Sequence, residues 1–425
     1  MRASTAQLAV AGLLALGGPA NAAPAKSCGP KVHPVKSVQL GPRPYWLVDN
    51  MEDGPLKRKL DSCKELQMKP SKLSIAHRGG GTLQIPEGTR ESILAGSRMG
   101  SGIQECDVAF TSDEHLVCRH SHCDLHTTTN IVTIPELNAK CTQPFQPADP
   151  ATGKVATARC CTSDITLADF KRLCGKMDAS NPSAKTPAEF LGGTPSWRTD
   201  LYARECGTLI THKEFIALTD ALGLEFTPEL KAPEVPMPFK GGDFTQERFA
   251  QKMIDEYKEA GIAPARVWPQ SFRYADVLYW LRAEPEFARQ AVLLDESADA
   301  DPTKFPESVA NLTLYAAAGV KVIAPPLPYL VTVGGADGKS IVPSPYATEA
   351  KRLGLQIITW TLERSAWLGD GSGGGYYYAT IGKLLKRDGD VFKLLDVLVR
   401  DIGAIGVFTD WSATVTYYAN CFGYV

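Results

Sequence analysis

From residue 73 onward, short apolar runs rich in β-branched residues alternate with helix-length amphipathic segments. That alternation is expected of repeated βα units wrapped around a parallel sheet. The strand-like runs are 73–77, 102–108, 224–230, 266–270, 291–294, 321–324, 356–360 and 404–408. Helix-like periodicity fills 89–99, 211–222, 245–260, 274–284, 305–318, 346–353 and 381–401. Eight strands with intervening helices predict an α/β chain folded as a (β/α)8 TIM barrel, whose functional groups sit at the C-terminal ends of the strands and in the loops that follow.

One connection breaks the rhythm. Between His120 and Thr211 runs a long segment of mixed Pro, Asn, Thr and Cys with one helical stretch at 167–173. Long insertions between barrel elements are usually functional or lid-like, so the expected plan is a barrel with a long cysteine-rich insertion after the second strand. The division is 1–22 signal peptide, 23–72 N-terminal arm, and 73–425 barrel, including the insertion at 121–210. A Gly-rich patch, Asp370 to Gly375 followed by three tyrosines, reads as a mobile loop after strand seven.

Composition adds the compartment. The 425 residues carry 45 Lys+Arg against 47 Asp+Glu and 44% hydrophobic residues, which excludes a disordered chain and a nucleic-acid binder driven by bulk charge. Arg2, the apolar run from Leu8 to Leu16, and Ala20-Asn21-Ala22 form the n-region, h-region and small-x-small site of a secretory signal peptide. Gly17-Gly18-Pro19 ends the run too early for a buried helix. No later stretch is long and apolar enough to span a bilayer, so the expected mature chain is secreted or periplasmic, with no transmembrane segment. All 11 cysteines lie after the signal, eight of them between Cys106 and Cys206. In an oxidising compartment they read as disulfides with at least one thiol free or intermolecular; connectivity does not follow from sequence, though nearby Cys118 and Cys123 suggest one pair. Asn311-Leu312-Thr313 is a glycosylation sequon.

The candidate chemistry lies at the strand ends: His77 and Arg78 after strand one, Glu105 and Asp107 on strand two, His120 behind it, and Glu229 with Lys231 after strand three. Side chains two apart on a strand share a face, so Glu105 and Asp107 enter the barrel mouth together while Cys106 faces the helices. Three inward carboxylates repel one another unless a cation neutralises them. An all-oxygen set suits one hard divalent ion, Ca2+ or Mg2+. A plain ion-pair network of Glu105, Asp107, Arg78 and Lys231 is the competing account, and the two histidines beside the set weigh against it.

Ala76-His77-Arg78-Gly79, Pro86-Glu87-Gly88-Thr89-Arg90-Glu91-Ser92, Ile103-Gln104-Glu105-Cys106-Asp107-Val108 and Val117-Cys118-Arg119-His120 closely resemble the glycerophosphodiester phosphodiesterases. Thr227-Pro228-Glu229-Leu230-Lys231 resembles that family's third-strand motif, and the insertion resembles one found in its periplasmic and secreted members. The resemblance implies that Glu105, Asp107 and Glu229 hold the metal, that His77 and His120 are the general acid/base pair, and that Arg78 and Lys231 bind phosphate. It also implies a small glycerophosphodiester such as glycerophosphocholine as substrate and no nucleic-acid partner. Trp360, ending strand seven, either stacks on the substrate or packs in the core. Two departures are Ser121, where the family often has Asp, and Gly88, where it often has Asn.

Rival readings are fewer than the motifs suggest. His120, His122, Cys123 and His126 form a His/Cys cluster without ordinary zinc spacing. Phospholipase D-like enzymes acting on sphingomyelin or lysophospholipids resemble the same core but are compact, without a large insertion here. A non-catalytic barrel binding cell-wall polymer or a sugar phosphate would be expected to lack one of the histidines or carboxylates. A glycosidase needs acids that straddle a sugar ring, and Glu105 and Asp107 stand too close together on one strand. Gln270 and Ser271 are expected to donate to the site, Glu87 either to support the site from beside the first loop or, the preferred reading, to serve as a helix N-terminal charge before the N-cap Thr89, and Trp268, Tyr279 and Trp280 to pack.

Overall fold

Eight parallel strands carry the alternation read from the sequence: β1 (Ser71–Ala76), β2 (Ser101–Phe110), β3 (Glu225–Leu230), β4 (Gln270–Ser271), β5 (Val292–Leu294), β6 (Val322–Ala324), β7 (Gln356–Leu362) and β8 (Gly406–Thr409). Each pairs with its neighbours in chain order, and β1 pairs with both β2 and β8, closing the barrel. This computed structural model describes residues 32–201, 206–365 and 367–425, so the signal-peptide expectation over 1–22 and Cys28 lie outside the described residues. Inside the barrel, Ile75, Ile103, Val292, Val322, Ile358 and Phe408 belong to one buried apolar cluster. The barrel is therefore a packed core, and its chemistry is confined to the mouth.

The helices are α1 (Arg90–Arg98), α2 (His212–Ala221), α3 (Gln246–Glu259), α4 (Tyr274–Ala283), α5 (Phe305–Ala317), α6 (Pro345–Arg352), α7 (Val391–Asp396) and α8 (Ser412–Phe422). Thr89 caps α1 by accepting from the Ser92 amide at 3.2 Å. Thr211 and Glu214 form a reciprocal capping box on α2. Three boundaries differ from expectation. Strand four shifts to Gln270–Ser271 because Pro264 starts a 3-10 turn and Pro269 has no amide to give a ladder. The helix expected from 381 begins only at Val391, after short turns containing Gly382 and Gly389. The final helix α8 escaped the periodicity because Ser412 to Ala419 is buried all round, leaving no amphipathic stripe.

Two short helices, Arg43–Asp49 and Pro55–Asp61, form the segment before β1. It is tied to α8 by the Cys63–Cys421 disulfide and by the Tyr417 hydroxyl, which donates to the Leu60 carbonyl at 2.7 Å.

The insertion leaves the barrel through Leu116–Cys118, which runs antiparallel beside β2, and returns at α2. Its short helices and hairpins enclose their own apolar cluster, including Leu125, Ile131, Leu137, Phe170 and Phe190. Disulfides Cys123–Cys161, Cys141–Cys160 and Cys174–Cys206 staple it, and Cys106–Cys118 pins its root to β2. The pairing of Cys118 with Cys123 is thus corrected. The antiparallel register, Val108 opposite Cys118, brings Cys106 within 5.2 Å of Cys118 between Cα atoms. Cys123 is held by Cys161, which removes it from any zinc set.

Candidate active site

Strand register assembles the carboxylates. In the β2/β3 ladder Asp107 lies opposite Glu229 and Glu105 opposite Thr227, while Glu229 in turn lies opposite Gln270 of β4. One carboxylate oxygen from each of Glu105, Asp107 and Glu229 falls within a 4.8 Å set, and all three residues are buried. Lys231 places Nζ 2.5 Å from Glu229 Oε1 and 3.6 Å from Asp107 Oδ1. Gln270 Nε2 donates to Glu105 Oε1 at 3.0 Å, as a site donor should. Ser271 instead donates to Asp276 at 2.9 Å, steadying the start of α4.

Burial and the charges of its two neighbours push the Glu105 carboxyl well above its usual range. Burial, with Asp107 beside it and against the pull of Lys231, pushes Glu229 up to about 7. Three such acids in a dry mouth need more positive charge than one lysine supplies. An all-oxygen donor set of this kind fits a hard divalent cation. A second trio, Glu87, His120 and Asp124, also falls within 4.8 Å. There the charge of Glu87 is already met by two arginines, so that trio reads as two carboxylates flanking a histidine.

The turn after β1 is unusual. Arg78 sits at φ 52°, in the left-handed region that a non-glycine residue adopts at a cost of about 1–3 kcal/mol. The strained turn directs the Arg78 amide onto Glu105 Oε2 at 2.7 Å, while its guanidinium grips both oxygens of Glu87 at 2.9 and 3.0 Å. Glu87 is therefore a buried partner of Arg78, the supporting alternative offered by the sequence rather than the preferred helix N-terminal charge. His77, beside it, has Nδ1 2.6 Å from Asp410 Oδ1, just past the end of β8. Burial, assisted by Arg78, pushes the His77 imidazole down to about 4 against the pull of Asp410. Burial, then Arg78 and Lys231, likewise holds His120 well below its usual value. Both rings are thus neutral near pH 7.

Three further residues join this network without having been singled out from sequence. Arg364, following β7, donates to Asp410 Oδ2 at 3.0 Å and to Glu87 Oε2 at 2.9 Å. Arg198, from the insertion, donates to the Thr82 carbonyl at 2.6 Å and lies 3.9 Å from Asp410 Oδ2. Burial alone would raise Asp410, but Arg364, His77 and Arg198 hold it well below the usual carboxylate range. Asp410 and Arg364 both follow barrel strands, where the strand-end rule points; Arg198 had no local signal.

His77, Arg78, Glu105, His120, Glu229 and Lys231 line one cleft of about 430 Å3, with Trp360 also on its wall. Trp360 is half-buried and donates its indole N–H to the Ala324 carbonyl at 2.8 Å, so its ring is anchored in the barrel with one part left on the cleft wall. His122 lines the same cleft, with Nε2 2.8 Å from Ser163 Oγ.

A closed parallel barrel whose mouth gathers two histidines, three carboxylates and an arginine network is the equipment of a hydrolytic barrel enzyme. The glycerophosphoryl diester phosphodiesterase family model matches residues 77–414, most of the chain, and the protein belongs to that family. It is a phosphoric diester hydrolase of the glycerophosphodiester phosphodiesterase type. A relative from Arthroderma benhamiae (strain ATCC MYA-4681 / CBS 112371), named "Extracellular protein", is 46% identical over 247 residues, 58% of this chain and 99% of its own. The crystal structure of a putative glycerophosphoryl diester phosphodiesterase from Silicibacter pomeroyi DSS-3 superposes with a TM-score of 0.52 at 16% identity. It covers 85% of this chain and 97% of its own, a likeness of fold. Among the described residues no helix is long and apolar enough to cross a membrane.

Proposed function

We propose that the chain is exported and cleaves small glycerophosphodiesters, of which glycerophosphocholine is one, to glycerol 3-phosphate and an alcohol. The observation that carries this reading is the convergence of His77, His120 and the Glu105, Asp107, Glu229 cluster on one cleft. These three carboxylates would hold one Ca2+ or Mg2+ ion. When bound, that ion supplies positive charge to stabilise the phosphoryl oxygens as negative charge develops. The leader at 1–22, five disulfides and the name of the Arthroderma relative support export.

Asp410, kept ionised, accepts Nδ1–H from His77 and so leaves the Nε2 lone pair free for the cleft. His77 is then the base that takes the proton from an attacking glycerol hydroxyl. His120, neutral in the free site, takes up a proton when the phosphodiester anion binds beside it, with Glu87 favouring the charged form, and gives that proton to the departing alcohol oxygen. The hydroxyl oxygen bonds to phosphorus as the alcohol leaves, giving a cyclic phosphate. Water opens that ring with the two histidines exchanging roles. Arg78 and Lys231 hold the phosphate, and Trp360 lies against the substrate.

The test is release of glycerol 3-phosphate and free alcohol from a panel of glycerophosphodiesters, with and without EDTA. Turnover that EDTA abolishes and Ca2+ or Mg2+ restores is expected. Metal-independent turnover, or none with any member of the panel, would overturn the reading.

A further inference from the structure

Between Glu307 and Lys321 the chain carries no charged residue, and most of that stretch is α5. Ser308 and Leu312 are buried, and Tyr315 packs against Tyr274 of α4 with ring centroids 5.1 Å apart. The outward side is apolar as well. Leu314 is 56% exposed, and Ala310, Ala317 and Ala318 are exposed beside it. A surface helix normally opposes its buried stripe with charged residues. Helix α3 does so with Glu247, Arg248 and Glu259, and α6 with Lys351 and Arg352. A bare apolar strip on the outside of a barrel calls for a cover.

Helix α5 carries the means for one in its own sequon, Asn311-Leu312-Thr313. Residues three, four and seven apart share a helix face. Asn311 therefore stands about one turn from Leu314 and two from Ala318, at the border between the buried and the exposed side. Among the described residues its side-chain amide makes no hydrogen bond, so a sugar attached there breaks none in the fold. Thr313, the other residue the sequon needs, is exposed. None of these positions lines the catalytic cleft. An N-linked glycan is bulky and strongly hydrated, which is the chemistry an exposed apolar strip lacks.

We infer that Asn311 carries an N-linked glycan when the chain is exported by a eukaryotic cell, and that this glycan covers the apolar side of α5 and keeps copies of the protein apart. In the transfer, Asn311 Nδ2 loses a proton and bonds to the anomeric carbon of a sugar donated by a lipid-linked diphosphate, which leaves. The inference rests on the export reading above and is independent of the reaction in the cleft. The chain with its own leader is secreted from a eukaryotic host and mapped by peptide mass before and after peptide-N-glycosidase, which turns a glycosylated Asn into Asp. Light scattering follows self-association of the glycosylated, enzymatically deglycosylated and Asn311→Gln proteins. A glycan on the Asn311 peptide is expected, lost in Asn311→Gln and in Thr313→Ala and kept in Thr313→Ser. Association is expected to begin at a several-fold lower protein concentration once the sugar is removed, and Leu314→Glu in the Asn311→Gln protein should reverse that shift. A sequon left empty in the secreted chain, whether the face then stays bare or pairs with a second copy, would overturn the inference while export stands. So would a glycan whose removal leaves association unchanged. A chain retained in the cell without sugar would overturn both.

Discussion

His77 Nδ1 and Asp410 Oδ1 lie 2.6 Å apart, across the seam where the first and last strands of the barrel meet. The contact links residues 333 positions apart, so neither end of the chain builds the site alone. Asp410 also receives Arg364 and approaches Arg198, which brings the loop after β7 and the insertion to the same carboxylate. One buried acid therefore fixes the tautomer of a histidine and gathers three segments of the chain around it.

Replacing this acid tests its orienting role. Asp410→Asn is expected to lower kcat by about 10²-fold or more, the usual contribution of a positioned acid/base group. The pH profile gives the sharper readout. Asp410 raises the His77 pKa against burial and Arg78, so its loss moves His77 further below about 4. The acidic limb of kcat/KM, set by protonation of the base, should shift to lower pH. A near wild-type kcat with an unmoved limb would show that Asp410 is only structural.

Arg364 bridges two buried carboxylates, Glu87 and Asp410, at 2.9 and 3.0 Å. Arg364→Met keeps the bulk of the side chain and removes the charge, leaving both acids with less compensation. Breaking one side of a buried ionic network costs about 3–5 kcal/mol. Urea denaturation should show that loss, and stability within 1 kcal/mol of wild type would contradict the network.

How much of this was legible in advance divides along physical lines. Glu105 and Asp107 could be read because period two on a strand is a local rule, and the motif around them is contiguous. Their meeting with Glu229 followed from the barrel, because neighbouring strands in a closed sheet fix register. For Glu87 the wrong one of two readings was preferred, because a carboxylate just before an N-cap has a sufficient local role, whereas its actual partners, Arg78 and Arg364, come from the turn after β1 and the loop after β7. Arg198 lies in irregular chain whose course is set by disulfides, and cysteine connectivity has no sequence rule. Helix α8 was hidden because complete burial erases the periodicity that announces a surface helix.

The carboxylate cluster predicts a stability effect independent of turnover. An ion bound only by the folded chain stabilises it by about 2.7 kcal/mol at a hundredfold excess over Kd. Chelation should therefore lower Tm, and Ca2+ or Mg2+ should restore it, with the tighter ion giving the larger shift at equal concentration. Glu105→Gln should abolish the metal-dependent increment while leaving a folded barrel. A Tm that EDTA and both ions leave unmoved would argue against a metal at this position.

The insertion supplies Ser121 and His122 to the cleft and Arg198 to Asp410, so its stability should bear on substrate binding. Cys141–Cys160 and Cys123–Cys161 meet at adjacent residues and close separations of 19 and 38 within it, whereas Cys63–Cys421 ties the segment before β1 to α8. Opening a loop of the shorter size costs about 3 kcal/mol in the chain-entropy account. In Cys141→Ser/Cys160→Ser that cost falls on a unit with its own apolar cluster. We expect faster proteolytic cleavage within 121–210 and a raised KM, with kcat lowered less, because Glu105, Asp107, Glu229 and His77 stand on barrel strands and the turn after β1. Cleavage that stays as slow as wild type would show that the apolar cluster alone holds the insertion in place. A fall in kcat with KM unchanged would mean that the insertion acts on the chemistry, through Arg198 and Asp410, more than on the walls of the cleft.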